Sequence, residues 1–533
     1  MGKIFKYLLQ ITLCSLFIFS VSFAGTIVVK PGENLISSIN SSSPGDTVMV
    51  ENGGYRGGTI SQNNVYVLAM DSVFLSSEIY LNADEVVLDG LRWQDIDGNI
   101  INVRGSANTI KNCFFKRFGK NSPSKAIWLK EDGNYPDNIV ENCLFEDWGS
   151  SSFHSSCVKI GQTNCSPVYT GTIIRGNTVR NGASGGNSPA IQPFYPSLIE
   201  NNIIDNCEDG IETKGSNMII RSNIVMNCDG DEAMSNRVGS NNLFEANILF
   251  NISSYVWQIW TGENNVFRNN IIYNSERIAM IKGGYNPGEN AKNVLLINNT
   301  FVNVGRGICW DLKKYPPENI QFVNNIFVGD GSTEIESSGR NYISVFKNNH
   351  FYKFSPYGES YSTGDPLFVD PDNHDYHLTE GSPAIDSGDS GYPNLPAVDK
   401  DGTERPLDGD NDKTACYDKG AYEYSTVNTV INENTNRTRP SDFGLSQNYP
   451  NPFNPDTRIE YAIPAQKWVK IQIFNQNGQL VNTLIDNSIP AGTHNVVWNA
   501  RNMRGCDVSS GIYVYKMTTD NGFVDIKKMI LLR

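Results

Sequence analysis

Short apolar runs that end at a polar position recur along most of the chain. Eight copies carry Asn there, in the segments TIIRGNTV, LIENNIID, MIIRSNIV, LFEANILF, VFRNNIIY, VLLINNTF, IQFVNNIF and VFKNNHF. The positions are Asn177, Asn202, Asn223, Asn247, Asn270, Asn299, Asn325 and Asn349, with Cys113 and Cys143 in two earlier copies. Successive copies are 21 to 34 residues apart, a period typical of a solenoid.

The composition of the repeats predicts which solenoid they form. The runs are short, rich in Ile, Val and Phe, and interrupted by Gly, Asn and Asp, without a helical period. We therefore predict an all-β protein, with a right-handed parallel β-helix over residues 25–355. The Asn positions should stack in one column, because stacked amides can hydrogen-bond between rungs. Cys207 and Cys228 should stack as small buried side chains.

The pattern changes after Asn349. Residues 356–424 are rich in turns, and we predict that they cap the β-helix, because an open solenoid end leaves unpaired strand edges. Residues 425–440 have no core-forming pattern and are predicted to be a linker. Residues 441–533 alternate apolar and polar positions, which predicts a small C-terminal β-sandwich. The alternating Asp408, Asp410 and Asp412 are interpreted as a solvated turn rather than a calcium loop.

The chain begins with the features of a secretory signal. Basic residues precede the apolar run YLLQITLCSLFIFSV, and SFA ends at Ala24, so residues 1–24 are predicted to be a signal peptide. Cys157 and Cys165 are the best disulfide candidates. We expect no membrane span, since no later apolar run approaches the length required.

Charge restricts the partners that the protein can bind. The net charge of −14 argues against nucleic acid as a partner, and any site for an acidic polymer must be local. The five His are scattered, which makes a His-based zinc site improbable. We expect a monomer.

The C-terminal segment resembles the sorting domain of the type IX secretion system. The resemblance covers residues 443–533 and is carried by NYPNPFNP, SSGIYVYKM and the basic end. It implies that the secretion machinery of that system is a partner. It also implies export across an outer membrane, followed by release or attachment at the cell surface.

Charged residues vary between neighbouring repeats, and the best candidates for chemistry lie among them. Lys214 and Arg237 are about one period apart, so they should be neighbours on one face. The order of Glu212 and Lys214, then Arg237 and Gly239, resembles polysaccharide lyase family 6, the group of alginate lyases and chondroitinase B. That family usually has Ser after the Lys and His after the Arg, where this chain has Gly215 and Val238.

The resemblance implies cleavage of a uronic-acid polysaccharide by β-elimination. The proton next to the carboxylate becomes acidic only when that carboxylate is neutralised, which calcium or Arg237 can do. A Lys near positive charge has a lowered pKa, so Lys214 is a candidate base. Trp257 and Trp260 are expected to border the groove. Oxygen ligands for calcium are expected from Glu208, Asp209, Glu212 and Asp231.

Two alternatives stay open. Lys282 precedes Gly283 and Gly284, which is similar to the base of the pectate lyases of polysaccharide lyase family 9. Otherwise the chain is a non-catalytic carbohydrate-binding or cell-surface protein, with Phe194, Tyr195 and Trp310 as further aromatic residues of a groove. In all three readings the partner is an acidic polysaccharide.

Overall fold

The computed structural model describes most of the chain. It covers residues 24–425 apart from 131, 153, 163–170 and 184–187, and residues 443–531 apart from 447, 449–450, 452, 454, 476–477 and 504–505. Residues 1–23 of the predicted signal peptide, residues 426–440 of the predicted linker, and Cys165 lie outside the described residues.

The first part of the chain is a parallel β-helix, as predicted. Its 36 strands form one continuous sheet that winds through three faces. Each strand pairs in parallel with the strand about one repeat later, so the faces are stacks of short strands. The six-residue helix α1 (Leu35–Asn40) contacts the first strands and buries Leu35 and Ile39.

Face 1 carries the candidate site. It consists of β4 (Gly58–Ile60), β6 (Ile79–Leu81), β8 (Ile101–Val103), β11 (Lys125–Leu129), β14 (Ser156–Ile160), β17 (Pro189–Pro193), β20 (Asp209–Thr213), β23 (Glu232–Asn236) and β26 (Tyr255–Ile259). The second halves of β29 (Ile271–Lys282) and β31 (Thr300–Asp311) continue this stack.

Face 2 is the next stack around the solenoid. It consists of β1 (Thr26–Val29), β2 (Thr47–Val50), β9 (Thr109–Lys111), β12 (Ile139–Glu141), β15 (Thr172–Arg175), β18 (Ser197–Glu200), β21 (Ile219–Arg221), β24 (Leu243–Glu245), β27 (Gly262–Glu263), β28 (Val266–Arg268), β30 (Ala291–Ile297), β32 (Glu318–Val323) and β34 (Ile343–Lys347). The first halves of β5 (Tyr66–Leu75) and β7 (Val87–Gln94) belong to it.

Face 3 completes each rung. It consists of β3 (Gly53–Tyr55), β10 (Phe114–Lys116), β13 (Leu144–Trp148), β16 (Thr178–Gly182), β19 (Ile203–Asp205), β22 (Ile224–Met226), β25 (Ile248–Phe250), β33 (Ile326–Thr333), β35 (His350–Phe354) and β36 (Ser362–Thr363). The second halves of β5 and β7 and the first halves of β29 and β31 also lie here.

The predicted Asn column forms the corner between faces 2 and 3. Each Asn is fully buried. From Asn202 onward, its side-chain oxygen accepts hydrogen bonds from the backbone N–H and the amide of the Asn one rung before, and Asn177 accepts from the backbone N–H of Cys143. The residue that takes the left-handed conformation is the one before the column Asn, such as Asn201 or Ala246. The column Asn is therefore required for its amide, not for its backbone conformation.

The interior is filled by stacks of like side chains. Trp93, Phe115 and Phe145 stack on consecutive rungs with ring centroids 5.1 Å and 4.8 Å apart. Cys207 and Cys228 are buried one rung apart, as predicted. Because consecutive rungs place apolar residues at the same position, the core continues from rung to rung along the solenoid.

The turn-rich segment packs along the outer side of face 3. It contains the antiparallel strands β37 (Phe368–Asp370) and β38 (Asp375–Leu378) and the 3₁₀ helix Pro371–Asn373; a second 3₁₀ helix, Ser337–Tyr342, lies earlier in the chain. Tyr376, Leu378 and Tyr422 share an apolar cluster with Ile224 and Ile248 of face 3.

The C-terminal part is an antiparallel two-sheet structure, as predicted. One sheet contains β39 (Gly444–Leu445), β40 (Thr457–Ile463) and β43 (Gly492–Trp498). The other contains β41 (Lys467–Asn475), β42 (Leu480–Ile489), β44 (Gly511–Thr519) and β45 (Val524–Leu531). It has its own core, which includes Ile471, Trp498 and Tyr515. No helix in the described part of the chain has the length and apolarity needed to cross a membrane.

Candidate active site on face 1

Alternate residues of face 1 point outward and form two columns that run along the solenoid. The first outward column contains Trp128, Lys159, Gln192, Glu212, Ser235, Gln258 and Met280. The second outward column contains Lys130, Gly161, Phe194, Lys214, Arg237, Trp260 and Lys282, each directly after a face 1 strand or at its end. The period of two along a strand separates both columns from the core.

The structure brings Lys214 and Arg237 together, as the sequence predicts. They occupy adjacent rungs of the second outward column, and Glu212 lies between them. The Oε1 atom of Glu212 is 3.1 Å from Lys214 Nζ and 3.2 Å from Arg237 Nε. Arg237 also pairs with Glu232, with 2.8 Å between a terminal guanidinium nitrogen and Oε1. The other oxygen of Glu212 accepts a hydrogen bond from Gln192.

Trp260 and Lys282 extend this group by two rungs. The guanidinium carbon of Arg237 lies 4.2 Å from the Trp260 ring centre, and Lys282 Nζ lies 3.5 Å from it. Burial and the positive charge of Arg237 lower the pKa of Lys282. Lys282, which the sequence assigns to a separate lyase mechanism, therefore shares one surface with Lys214 and Arg237.

The prediction that Trp257 borders this groove is wrong. Trp257 is 1% exposed and packs in the core against Phe267, with ring centroids 4.9 Å apart. It stacks in register between Met234 and Ala279, which belong to the inward column. An odd separation of three residues places Trp257 and Trp260 on opposite sides of the strand.

The predicted calcium ligands do not converge on one point. Glu208 accepts a hydrogen bond from the backbone N–H of Ser188, and Asp209 accepts from the backbone N–H groups of Asp231 and Glu232. Glu212 is held by the two cations, and Asp231 is exposed. These carboxylates are therefore held by different partners, backbone N–H groups for Glu208 and Asp209 and two cations for Glu212.

Buried acids lie beneath the cations. Asp209 is 2% exposed, and its burial together with the charge of Glu232 raises its pKa to about 8. Burial also raises the pKa of Glu232, although Arg237 opposes this shift. Burial therefore disfavours the ionised form of both carboxyl groups.

Another acidic group lies in the segment that covers face 3. Within the part of the chain that the structure describes, Asp386, Asp408 and Asp410 are the group of three acidic, His or Cys side chains whose ligand atoms come within 4.8 Å of one another. Such a trio could bind a metal ion. Asp412, which the sequence grouped with Asp408 and Asp410, instead accepts a hydrogen bond from the backbone N–H of Thr414.

Sequence reasoning missed the polar residues of the first outward column. Gln192 contacts Glu212, and Gln258 accepts a hydrogen bond of 2.8 Å from Trp260 Nε1. Of the other proposed aromatic residues, Phe194 belongs to the second outward column, whereas Tyr195 is buried. Alignment of the repeats on the charged strands, rather than on the Asn column, would have revealed Gln192 and Gln258.

Family comparisons agree with the two parts of the architecture. Residues 99–272 match the family described as the right handed beta helix region, and residues 456–522 match the FlgD Ig-like domain. The solenoid is thus right-handed, as predicted. No curated protein matches the chain.

Solved structures with the same fold include enzymes that act on uronates. A mannuronic acid specific family 6 polysaccharide lyase from human gut microbiota is 14% identical, with a TM-score of 0.50 over 64% of this chain and 92% of its own. The family 6 alginate lyase AlyGC is 18% identical, with a TM-score of 0.49 over 70% of this chain, which spans 60% of that enzyme. A mannuronan C-5 epimerase module from Azotobacter vinelandii is 12% identical, with a TM-score of 0.39 over 62% of this chain and 93% of its own. The likeness to the first of these structures shows the fold alone.

Proposed function

We propose that the protein is a polysaccharide lyase that cleaves a uronic-acid polysaccharide by β-elimination on face 1. The observation that carries this proposal is the second outward column, where Lys214, Arg237, Trp260 and Lys282 follow one another on consecutive rungs. Two amines, one guanidinium and one aromatic ring therefore line a single surface. An anionic sugar chain laid along the solenoid would meet them in turn.

Each group has a task that its chemistry suits. Arg237 neutralises the uronate carboxylate, which makes the neighbouring C–H proton acidic enough to remove. Lys214, one rung away, takes that proton, and the electron pair expels the glycosidic oxygen as the C–C double bond forms. The buried carboxyl group of Glu232 pairs with Arg237 and positions it, and Asp209 accepts a hydrogen bond from the backbone N–H of Glu232. Trp260 offers a ring on which a sugar can pack.

One observation favours Lys282 as the base instead. A base must be neutral when it accepts a proton, and burial together with Arg237 lowers the pKa of Lys282. Lys214 is paired with Glu212 at 3.1 Å. Both assignments of the base use the same surface and the same Arg237. They differ only in whether the lysine on the Lys214 side or on the Lys282 side of Arg237 takes the proton.

Single substitutions distinguish the two lysines. With Lys214 as base, Lys214→Ala lowers kcat by at least ~10²-fold and Lys282→Ala has a much smaller effect. The reverse result assigns the base to Lys282. Arg237→Ala lowers kcat in either case, whereas Lys30→Ala, at an exposed position on face 2, serves as the control. Wild-type turnover in all three site variants would contradict the lyase proposal.

Glu212 supports a second candidate function. Its carboxylate already contacts both Lys214 and Arg237, so the pair can be a structural ion-pair network on a carbohydrate-binding surface. Glu212→Gln separates the two readings. In a lyase the loss of this carboxylate changes kcat, whereas in a non-catalytic binder no unsaturated product forms and only the affinity for polymer changes.

We assign a candidate calcium site to the acidic trio only. Asp386, Asp408 and Asp410 offer the oxygen ligands that calcium prefers, and they belong to the segment that packs on face 3. We expect added calcium to raise the melting temperature of the full chain and Asp410→Asn to abolish that increase. Unchanged melting with calcium would contradict this assignment.

We also propose the division of the chain into signal peptide, β-helix, cap, linker and sorting domain, with export by type IX secretion to the medium or cell surface. The support is the separate core of residues 443–531 and the sequence motifs of that segment. A protein that lacks residues 441–533 should remain in the periplasm of a host that has this secretion system. Export of the deleted form would contradict the assignment.

A further inference from the structure

Aromatic rings and basic side chains alternate along face 1 well beyond the candidate active site. Lys130 Nζ lies 3.0 Å from the centre of the Trp128 ring, and Lys159 Nζ lies 5.6 Å from the same ring. Lys159 is also 5.2 Å from the centre of the Phe194 ring, and Lys214 is 5.6 Å from it. An unbroken series of cation–ring contacts thus leads from Lys130 to Lys214.

The series continues on the far side of Glu212. Arg237 and Lys282 both lie against Trp260, at 4.2 Å and 3.5 Å from its ring centre. The whole series from Lys130 to Lys282 spans seven consecutive strands of face 1, from β11 to β29. At the spacing of neighbouring strands this is a length of roughly 29 Å along the solenoid axis.

The positive series has a defined end on each side. One rung before Lys130, the series of cation–ring contacts gives way to the ion pair of Arg104 with Asp132 at 2.6 Å. One rung after Lys282 stands Asp311, which pairs with Lys313 at 2.7 Å. The basic surface is therefore a strip of limited length on a chain whose net charge is −14.

We propose that Trp128, Lys130, Lys159 and Phe194 form a binding extension for an acidic polysaccharide, on the N-terminal side of the Lys214 and Arg237 pair. The class of polymer rests on the proposed function. The extension would hold sugar units that are several rungs away from the bond that is cleaved. Positive charges repeated at the strand spacing suit a linear polyanion that runs parallel to the axis.

The electrostatics of the extension agree with an anionic ligand. Lys125, at the start of β11, has its pKa lowered to about 8 by burial and by the positive charges of Lys159 and Lys130. A carboxylate bound beside Lys125 would stabilise the charged form of this amine. The rings of Trp128 and Phe194 hold the amines while leaving a partly exposed surface.

Binding of alginate to full-length variants tests the extension. All proteins carry Arg237→Ala, which blocks cleavage whichever lysine is the base, and dissociation constants are measured at low salt with dextran as a neutral polymer. We expect Lys130→Gln with Lys159→Gln to weaken alginate binding roughly tenfold, since each exposed charge contact contributes up to about 1 kcal/mol. The matched control, Lys30→Gln with Lys353→Gln, removes two exposed charges from faces 2 and 3 and should change binding less than twofold.

The outcomes separate this inference from the proposed lyase activity. Alginate binding that is absent in the parent, or equal in the parent and the Lys130 and Lys159 variant, overturns the extension whether or not the wild-type protein cleaves alginate. A selective loss of binding in that variant supports the extension even if the wild-type protein forms no unsaturated product, in which case only the lyase proposal fails. Charge reversal by Lys159→Glu should weaken binding further, and no change in that variant would also count against the extension.

Discussion

Trp257 and Trp260 are three residues apart, and the solenoid uses them in opposite ways. Trp257 lies in the inward column of face 1, in contact with Phe267. Trp260 lies in the second outward column, between Arg237 and Lys282. The inward column must fill the same space on every rung, so apolar residues recur there, whereas the outward columns are free to vary. Function is therefore to be sought where the repeat differs from rung to rung.

Alanine substitutions at the two tryptophans should separate packing from binding. Trp257→Ala leaves a cavity in a closely packed core, and we expect it to lower the free energy of unfolding by about 3–5 kcal/mol. Trp260→Ala should lower it by only about 1 kcal/mol while weakening alginate binding. Denaturant unfolding and polymer binding measure the two effects. Similar losses of stability in both variants would break the comparison.

The Asn column offers a second contrast with the outer surface. Asn223→Leu removes the acceptor of the Asn202 amide and leaves buried donors without a partner, so we expect a loss of about 3 kcal/mol. Lys30→Leu introduces the same residue at an exposed position after β1 and should change stability by no more than about 0.5 kcal/mol. Equal effects in chemical denaturation would mean that the column is not a structural requirement.

The buried acid beneath Arg237 should give stability a distinct pH dependence. The pKa of Asp209 is raised to about 8 in the folded protein, whereas the pKa of an Asp in an unfolded chain is about 3.9. Between these values the folded state holds the extra proton, so this group makes the protein less stable as pH rises. Asp209→Asn should therefore increase stability at pH 8 by more than about 1 kcal/mol.

The neighbouring acid provides the control for that experiment. Asp231 is exposed, so Asp231→Asn should leave the dependence of the melting temperature on pH unchanged. If Asp209→Asn and the parent lose stability in parallel from pH 4 to pH 8, the buried carboxyl group does not titrate as described.

Removal of the C-terminal domain should have the smallest effect on chemistry. A chain that ends at Tyr424 keeps all of face 1, although it loses the contacts of Ile512 and Ile530 with the apolar cluster on face 3. We expect a lower melting temperature and a kcat within about twofold of the full chain. Complete loss of activity in a folded truncated protein would show that the domain takes part in the reaction.

The fold could be predicted from the sequence because the same pattern of apolar and Asn positions recurs on many rungs of the solenoid. One Asn per rung fixed the period, and the column appears where that period placed it. The alternation of apolar residues likewise predicted the C-terminal sheets. The register of Lys214 with Arg237 followed from the same period.

The site was less predictable because it depends on the direction of single side chains. An error of one residue in strand phase moves a side chain from the groove to the core, as it did for Trp257. The calcium prediction failed for another reason: Glu208 and Asp209 accept hydrogen bonds from backbone N–H groups, and Glu212 pairs with two cations. Gln192 carried no motif, and Phe194 was proposed only as one aromatic residue of a groove. The pairing of strands is what connects them with Glu212 and Lys214.

The central claim is that residues of face 1 cleave a uronic-acid polysaccharide by β-elimination. Detection of the unsaturated product is the most direct test. β-Elimination leaves a C–C double bond conjugated to the carboxylate, and this product absorbs ultraviolet light. Hydrolysis forms no such double bond, so its products do not absorb there. The purified chain is incubated with alginate, pectate and glycosaminoglycan uronates, each with and without a calcium chelator. If the protein is a lyase, absorbance rises with one of these polymers and Arg237→Ala abolishes the rise. Cleavage without new absorbance, or an equal rise with Arg237→Ala, would contradict the central claim.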